Sequence, residues 1–283
     1  MNAAPKLGII AGGGAVPRQL IGACQKLGRA FFVICLEGQA DPGLAEGLPH
    51  AWVHLGAGSR LKELFAEQQI KDVVMIGRVR RPSLLEIKPD WLALKVLTKI
   101  GINSLGDDGL LRGIGKAIED ETGMRVVGVQ DVFADLLTPV GVLTRAQPDD
   151  AAHQDIQRGV EAAQALGRLD IGQAVVVQQG IVLGVEAIEG TDALIARCAG
   201  LRREGPGGVL VKVAKPQQDN RFDLPAIGHE TITACRTAGL RGIAIEAGRS
   251  LIVEREKTLA DADAAGMFVI GLSSPLAGED RKP

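Results

Sequence analysis

Three stretches of this sequence gather residues that can do chemistry. The first is Ala11-Gly12-Gly13-Gly14-Ala15-Val16-Pro17, between an apolar run and a helical pattern. Consecutive glycines let a backbone come close to a ligand, and the amides and positive end of a following helix attract an anion, phosphate above all. A tight strand-to-helix turn with no ligand would use the same residues. As a dinucleotide fingerprint the stretch is half complete. Pro17 stands where a glycine belongs, although Glu37, past the next strand, sits where a ribose-binding acid would.

The second stretch runs from Lys215 to Gly228. Asp219 and Asp223 accompany Lys215 and Arg221, with Gln218 among them, and Pro216 and Pro225 bracket the segment. A carboxylate here could hold Mg²⁺ or orient a water, while Lys and Arg could neutralise phosphate charge in a transition state. The plainer alternative is a surface loop with internal ion pairs. The third stretch, Glu186-Ala187-Ile188-Glu189-Gly190-Thr191-Asp192, lies where a strand gives way to a helix. Capping by Thr191 or Asp192 accounts for one of these groups, and strand ends are where α/β sites form. Two weaker candidates are Asp107-Asp108, which reads first as a helix cap, and Gly77-Arg78-Val79-Arg80-Arg81, whose basic residues suit a phosphate or an anionic surface. The four histidines show no ligand spacing, no Gly-x-Ser-x-Gly elbow is present, and the four cysteines read as buried, reduced thiols.

The elements that must position these groups alternate. Leu7–Ala11, Ala30–Leu36, Trp52–Leu55, Asp72–Gly77 and Met124–Val129 read as strands. Helices are expected from Pro17 to Leu27, from Ser59 as cap to Gln69, over Asp90–Ile100 and from Asp107 or Asp108 to Thr122. This rhythm predicts a Rossmann-like parallel sheet in residues 1–137. Leu137–Pro148 reads as a linker. Residues 138–272 then predict a mixed α/β domain, with one hairpin at Gln179-Gly180 and a second around Gly248. A polar tail, 273–283, is expected to be disordered. Pro82–Ile100 carries a wider apolar face than sheet packing needs; packing on the sheet is still its first reading, and lining a greasy cleft or resting on anionic lipid is the alternative.

Composition narrows the class. The 32 basic and 34 acidic residues give a net charge of −2, and aromatics make up 3% with no Tyr. No nucleic-acid partner is expected from such a chain, either by bulk charge or by base stacking. No signal peptide or membrane span is read, which places the protein in the cytoplasm with at most peripheral membrane contact.

Taken together, the Gly12–Gly14 loop with Pro17, the Glu186–Asp192 stretch and the Lys215–Gly228 stretch resemble, in order and spacing, the LpxI family of UDP-2,3-diacylglucosamine pyrophosphatases. The likeness extends to about Leu272. It implies a hydrolase of lipid A biosynthesis that cleaves UDP-2,3-diacylglucosamine to UMP and 2,3-diacylglucosamine 1-phosphate. Water would be directed at the sugar-side phosphorus, with a divalent metal such as Mg²⁺ helping and the lipid between two α/β domains. Carried onto this sequence, the resemblance implies Asp223 as the essential residue, Lys215 and Asp219 as catalytic neighbours, and Asp223 and Asp219 as metal ligands. Gly12, Gly13, Gly14, Ala15, Gly77, Arg78, Glu189, Gly190, Thr191, Asp192, Gln218 and Arg221 would bind substrate. Work at the inner face of the cytoplasmic membrane and a homodimer are further expectations. A nucleotide-dependent oxidoreductase and a non-catalytic lipid or nucleotide carrier are the readings from other classes.

Overall fold

The structure is a computed structural model that describes residues 4–80, 87–100, 107–222 and 224–273, with only the backbone of residues 107 and 108. The chain divides into two compact units. The first comprises residues 1–134 together with Asp219–Asp223, and the second comprises the remainder.

The first unit is built on a five-stranded, all-parallel sheet in the order β3-β2-β1-β4-β5, with β1 Leu7–Ala11, β2 Phe31–Leu36, β3 His50–Val53, β4 Asp72–Ile76 and β5 Arg125–Val126. All five residues of β1 are buried, as a central strand covered on both faces requires. Among the described residues, its helices are α1 Ala15–Lys26, α2 Gly58–Glu67, α3 Trp91–Ile100, α4 Asp107–Thr122 and the short α5 Val129–Val132.

Two local expectations fail for identifiable reasons. Ser59 does not cap α2. Instead the Asp90 carboxylate accepts the Ser59 N–H at 2.7 Å and the Ala93 N–H at 2.9 Å, so one side chain serves the starts of both α2 and α3. Burial opposes its ionisation, but these hydrogen bonds prevail and hold its carboxyl below the usual range. The expected strand Met124–Val129 shrinks to Arg125–Val126. Gly128 then turns the chain into α5, where the Asp131 carboxylate accepts the Gly128 N–H at 2.9 Å.

The second unit carries a six-stranded mixed sheet ordered β6-β13-β11-β9-β7-β8. Its strands are β6 Gly141–Val142, β7 Ala174–Gln178, β8 Ile181–Val185, β9 Val209–Lys212, β11 Gly242–Glu246 and β13 Phe268–Leu272. A small separate pair joins β10 Ala226–Ile227 to β12 Leu251–Ile252. Strands β9, β11 and β13 are parallel, while β6, β7 and β8 join antiparallel. Helices α6 Asp150–Arg168, α7 Gly190–Ala199, α8 His229–Thr237 and α9 Arg255–Ala264 complete the unit.

The hairpin at Gln179-Gly180 forms. Both turn residues have positive φ, 54° and 74°, and the buried Asp155 carboxylate accepts the Gly180 N–H at 2.6 Å. The second hairpin does not form. Both edges of β11 are taken by β9 and β13, so the following segment turns away and pairs β12 in parallel with β10. The stretch read as a linker supplies β6, antiparallel to β13, and Leu137 bridges Leu251. Of the tail, residues 274–283 lie outside the described residues.

Candidate functional site

In the first unit, the strand order reverses between β1 and β4, and the loops after their carboxyl ends meet there. Gly12–Gly14 follows β1 and Gly77-Arg78 follows β4. Gly13 N–H donates to Arg78 O and Arg78 N–H to Gly13 O, each at 2.9 Å, and Gly12 N–H donates to Ile76 O at 2.8 Å. Such a switch point is where open parallel sheets take ligands.

The glycines nevertheless do a different job from the expected one. The amides of Gly12 and Gly13 are spent on the neighbouring strand and do not converge on a phosphate. Glycine is required because the backbones touch: a Cβ on Gly12 would stand 2.5 Å from Arg78 O, and one on Gly13 would stand 2.7 Å from Gln39 O. What remains for an anion is the end of α1. Gly14 is its N-cap, Ala15 and Val16 head it, and its first turn has neither a capping side chain nor an acid.

The carboxyl ends of the same strands open on an apolar cavity of about 540 Å³. Ile10, Leu36, Phe65 and Met75 form its sheet side, and Leu92, Val96 and Leu97 of α3 face Leu110, Ile114 and Ile118 of α4 across it. Gly12, Gly77, Arg78 and Lys62 are among its few polar or backbone contributors. Of the readings for Pro82–Ile100, the cleft-lining alternative rather than plain sheet packing describes Ile87, Leu92, Ala93, Val96 and Leu97; residues 81–86 lie outside the described residues.

Phe222 also lines this cavity. It fits because residue 115 of α4 is glycine, where a Cβ would overlap its ring. Beside it, Arg221 donates to Asp219 at 2.8 Å and to Glu119 at 3.2 Å, and its guanidinium lies 5.0 Å from the Phe222 ring centre. The hydrogen bonds from Arg221 hold the Asp219 carboxyl below its usual range, with Arg112 adding a weaker pull.

In the second unit, the groups gather where β9 and β11 end. Lys212, buried, donates from Nζ to Ala226 O at 3.1 Å. Glu246, 1% exposed, accepts the Ala214 N–H at 3.1 Å and the Arg249 guanidinium at 3.3 Å. Arg249 reaches on to Lys215 O at 3.4 Å, and Lys215 N–H donates to Gln218 Oε1 at 2.9 Å. The Lys215 ammonium pairs with Asp170, a partner outside the Lys215–Gly228 stretch.

The third stretch arrives at the same sheet end because β7 is antiparallel to β9: Ala174 stands opposite Lys212, and Glu186 N–H donates to Ala174 O. Glu186 accepts Thr191 Oγ1 at 2.5 Å and the Gln173 N–H at 3.0 Å. Neither Thr191 nor Asp192 caps α7. Its N-cap is Glu189, with helical backbone angles and no side-chain cap. Glu189 accepts its neighbouring backbone N–H groups and Arg197, which lowers its carboxyl below the usual range. Gly190 has φ +81°, with open space where a side chain would go.

Lys215, Gln218, Glu186 and Thr191 are thus brought to one end of the second sheet. Lys212, Glu246, Arg249 and Asp170 join them unforeseen. The available signal was a single charge closing an apolar strand, as in Val-Leu-Val-Lys212 and Gly-Ile-Ala-Ile-Glu246. Asp223 lies outside the described residues. For Mg²⁺, no group of three potential ligand side chains gathers among the described residues, and Asp219 is already held by Arg221. The described side chains therefore do not form a protein cage for a metal.

A Rossmann-like parallel unit followed by a mixed-sheet unit with buried charges at its strand ends defines a two-domain α/β protein. The LpxI N-terminal domain model matches residues 6–136 and the LpxI C-terminal domain model residues 139–270, so the chain belongs to the LpxI family. It is 42% identical over 274 residues to the UDP-2,3-diacylglucosamine pyrophosphatase LpxI of Caulobacter vibrioides, which covers 94% of this chain and 97% of that protein.

Proposed function

We propose that this chain hydrolyses the pyrophosphate bond of UDP-2,3-diacylglucosamine, releasing UMP and 2,3-diacylglucosamine 1-phosphate for lipid A biosynthesis. The observation that carries this reading is the relationship, over almost the whole of both chains, to a protein of that name. The geometry supports it from two sides. Two acyl chains need a large apolar receptacle with few polar groups, which the first unit has. A diphosphate needs cations, which the second unit has in Lys212, Lys215 and Arg249.

Phosphoryl transfer asks little covalent chemistry of a protein. It asks for placement of the nucleophile and for charge stabilisation. In the proposed reaction a water oxygen bonds to the sugar-side phosphorus as the bridging oxygen leaves with UMP. Asp223 orients the water. Lys212, Lys215 and Arg249 offset the charge growing on the phosphoryl and bridging oxygens, and Glu246 holds Arg249 in place. Asp223, together with the substrate phosphates, would hold a divalent ion such as Mg²⁺, which would supply further positive charge to the phosphoryl oxygens. The reaction is proposed to take place in the cytoplasm, at the membrane surface where such a lipid resides. No described helix is long and apolar enough to cross a membrane.

The test is direct. Purified protein, UDP-2,3-diacylglucosamine and Mg²⁺ should yield UMP and the lipid phosphate, and in ¹⁸O-water the label should enter the lipid phosphate. Binding without products would leave a carrier, and label in UMP would move the attack to the other phosphorus. A shift in nicotinamide fluorescence on titration with NAD(H) would favour the oxidoreductase reading. The backbone use of the Gly12 and Gly13 amides argues against that reading.

A further inference from the structure

Helix α3 is apolar on both sides. Its inner face, Leu92, Ala93, Val96 and Leu97, lines the cavity of the first unit. Its outer face carries Trp91, 74% exposed, and Leu94, 56% exposed, with Lys95 and Lys99 one turn further along. The positions 91, 94, 95, 98 and 99 fall on one side of a 3.6-residue period, so these groups share a single stripe. Trp91 is among the most exposed large apolar side chains of the described residues. Water alone gives no reason to leave it there.

The charged side chains on this stripe are lysines, and each stands against a carboxylate of α4. The Lys95 ammonium lies 5.7 Å from the Trp91 ring centre and donates to Glu121 at 2.8 Å, while Lys99 stands 3.7 Å from Asp120. The hydrogen bond from Lys95, with the nearby charges of Lys62 and Lys99, holds the Glu121 carboxyl below its usual range. Lys88 is exposed just ahead of the helix. Exposed lysine–carboxylate pairs of this kind are worth little in water, so the lysines can turn to other anions at small cost. A short helix with Trp and Leu on its outer stripe and lysines flanking them matches a segment that lies at a lipid headgroup boundary. There Trp sits at the interface and each lysine is drawn to anionic lipid.

We infer that the outer face of α3 docks this chain on an anionic bilayer, with Trp91 and Leu94 entering the headgroup boundary and Lys88, Lys95 and Lys99 meeting lipid phosphates. The docking places the wall of the apolar cavity one helix thickness from the membrane. It rests on the proposed function only for its purpose, the delivery of a lipid substrate, because the surface itself is described by exposure and charge alone.

The test uses the full chain carrying Trp52→Phe, which leaves Trp91 as its sole tryptophan. Vesicles of phosphatidylcholine are compared with vesicles of phosphatidylcholine and phosphatidylglycerol. Trp91 emission should move to the blue and become shielded from an aqueous quencher only with the anionic vesicles, and the protein should float with them. In the Trp52-containing chain, Trp91→Ala with Leu94→Ala should lower vesicle partitioning roughly tenfold or more. Lys95→Gln with Lys99→Gln should lower it about tenfold to thirtyfold at low salt, and added salt should erase that difference. Both pairs should hydrolyse detergent-dispersed substrate at the wild-type rate, because none of the four residues lines the cavity. Unchanged Trp91 emission, or variants that float like the wild type, would overturn the inference. So would a change of oligomeric state in the Trp91/Leu94 variant with vesicle binding intact, which would make a second copy the occupant. Vesicle binding by a protein that hydrolyses nothing would sink the proposed function and leave the docking surface standing.

Discussion

At the carboxyl end of its first sheet this chain places glycines and a cavity walled by leucine, isoleucine and valine; at the corresponding end of its second it places Lys212, Glu246 and Arg249. Both sheets are fed by alternating strands and helices, so topology does not set the difference. The first sheet makes room by omission. Gly12, Gly13 and Gly77 let three backbone segments lie against each other, and among the described residues no charged group is buried at that end. The second sheet buries charge, and each buried charge must be matched. Glu246 has Arg249 and the Ala214 amide, and Lys212 has the Ala226 carbonyl. Leaving any of them alone would cost several kcal/mol. One unit is suited to an apolar guest and the other to an anionic one.

That contrast can be broken most severely at Asp223. Its change to Ala should reduce UMP release by about 10³-fold or more while lipid-nucleotide binding, followed by calorimetry, persists. Full turnover would remove it from the reaction. Next comes Lys212→Met, which keeps the stem and deletes the charge. It should lower kcat about 100-fold and also lower the melting temperature, because the Ala226 carbonyl loses its donor. A normal kcat would mean that the second unit's cations serve only folding. Gly12→Ala forces a Cβ into Arg78 O and should destabilise the first unit by about 2 kcal/mol in urea titration, whatever ligand is present. A smaller loss would show that the two loops can part.

Leu97→Trp partly fills the cavity. It should raise KM for the long-chain substrate about tenfold and leave kcat and short-chain analogues nearly untouched. An equal effect on all chain lengths would deny the cavity to the acyl chains. The smallest effect belongs to Asp219→Asn, under about 1 kcal/mol, since the Arg221 pair is partly exposed. Because Arg221 depresses the folded-state carboxyl, the pair's contribution is complete above the ordinary carboxylate range and is lost as pH falls through the depressed value. Melting curves of the two proteins should therefore stay a constant distance apart from about pH 8 to about pH 5 and converge only in stronger acid.

The candidate site was legible in parts. Lys215, Gln218, Glu186 and Thr191 were visible as polar clusters between an apolar strand and a helix, and they do meet at one sheet end. The cavity was foreshadowed by the excess of leucines in Pro82–Ile100. Asp170 was hidden because nothing in Arg168-Leu169-Asp170 announces a partner 45 residues away. Asp90 was read as the start of one helix, yet it also serves the start of another 31 residues earlier. The supposed hairpin after β11 failed for the same reason. Gly248 signals a turn, but a turn does not say whether the preceding strand still has a free edge.

By itself, the sequence determined the alternation of strands and helices, the change from a parallel to a mixed pattern near residue 137, the Gln179-Gly180 turn and the family. These follow from side-chain period, turn chemistry and motif order, all of them short-range. Only the tertiary structure decided that the Gly12 and Gly13 amides are spent on the neighbouring strand, that Lys215 belongs to Asp170, and that Trp91 faces outward. Those outcomes depend on which distant backbone or charge arrives first at a given hydrogen-bonding group. Each donor or acceptor can be satisfied by many partners of equal chemistry, and packing alone chooses among them.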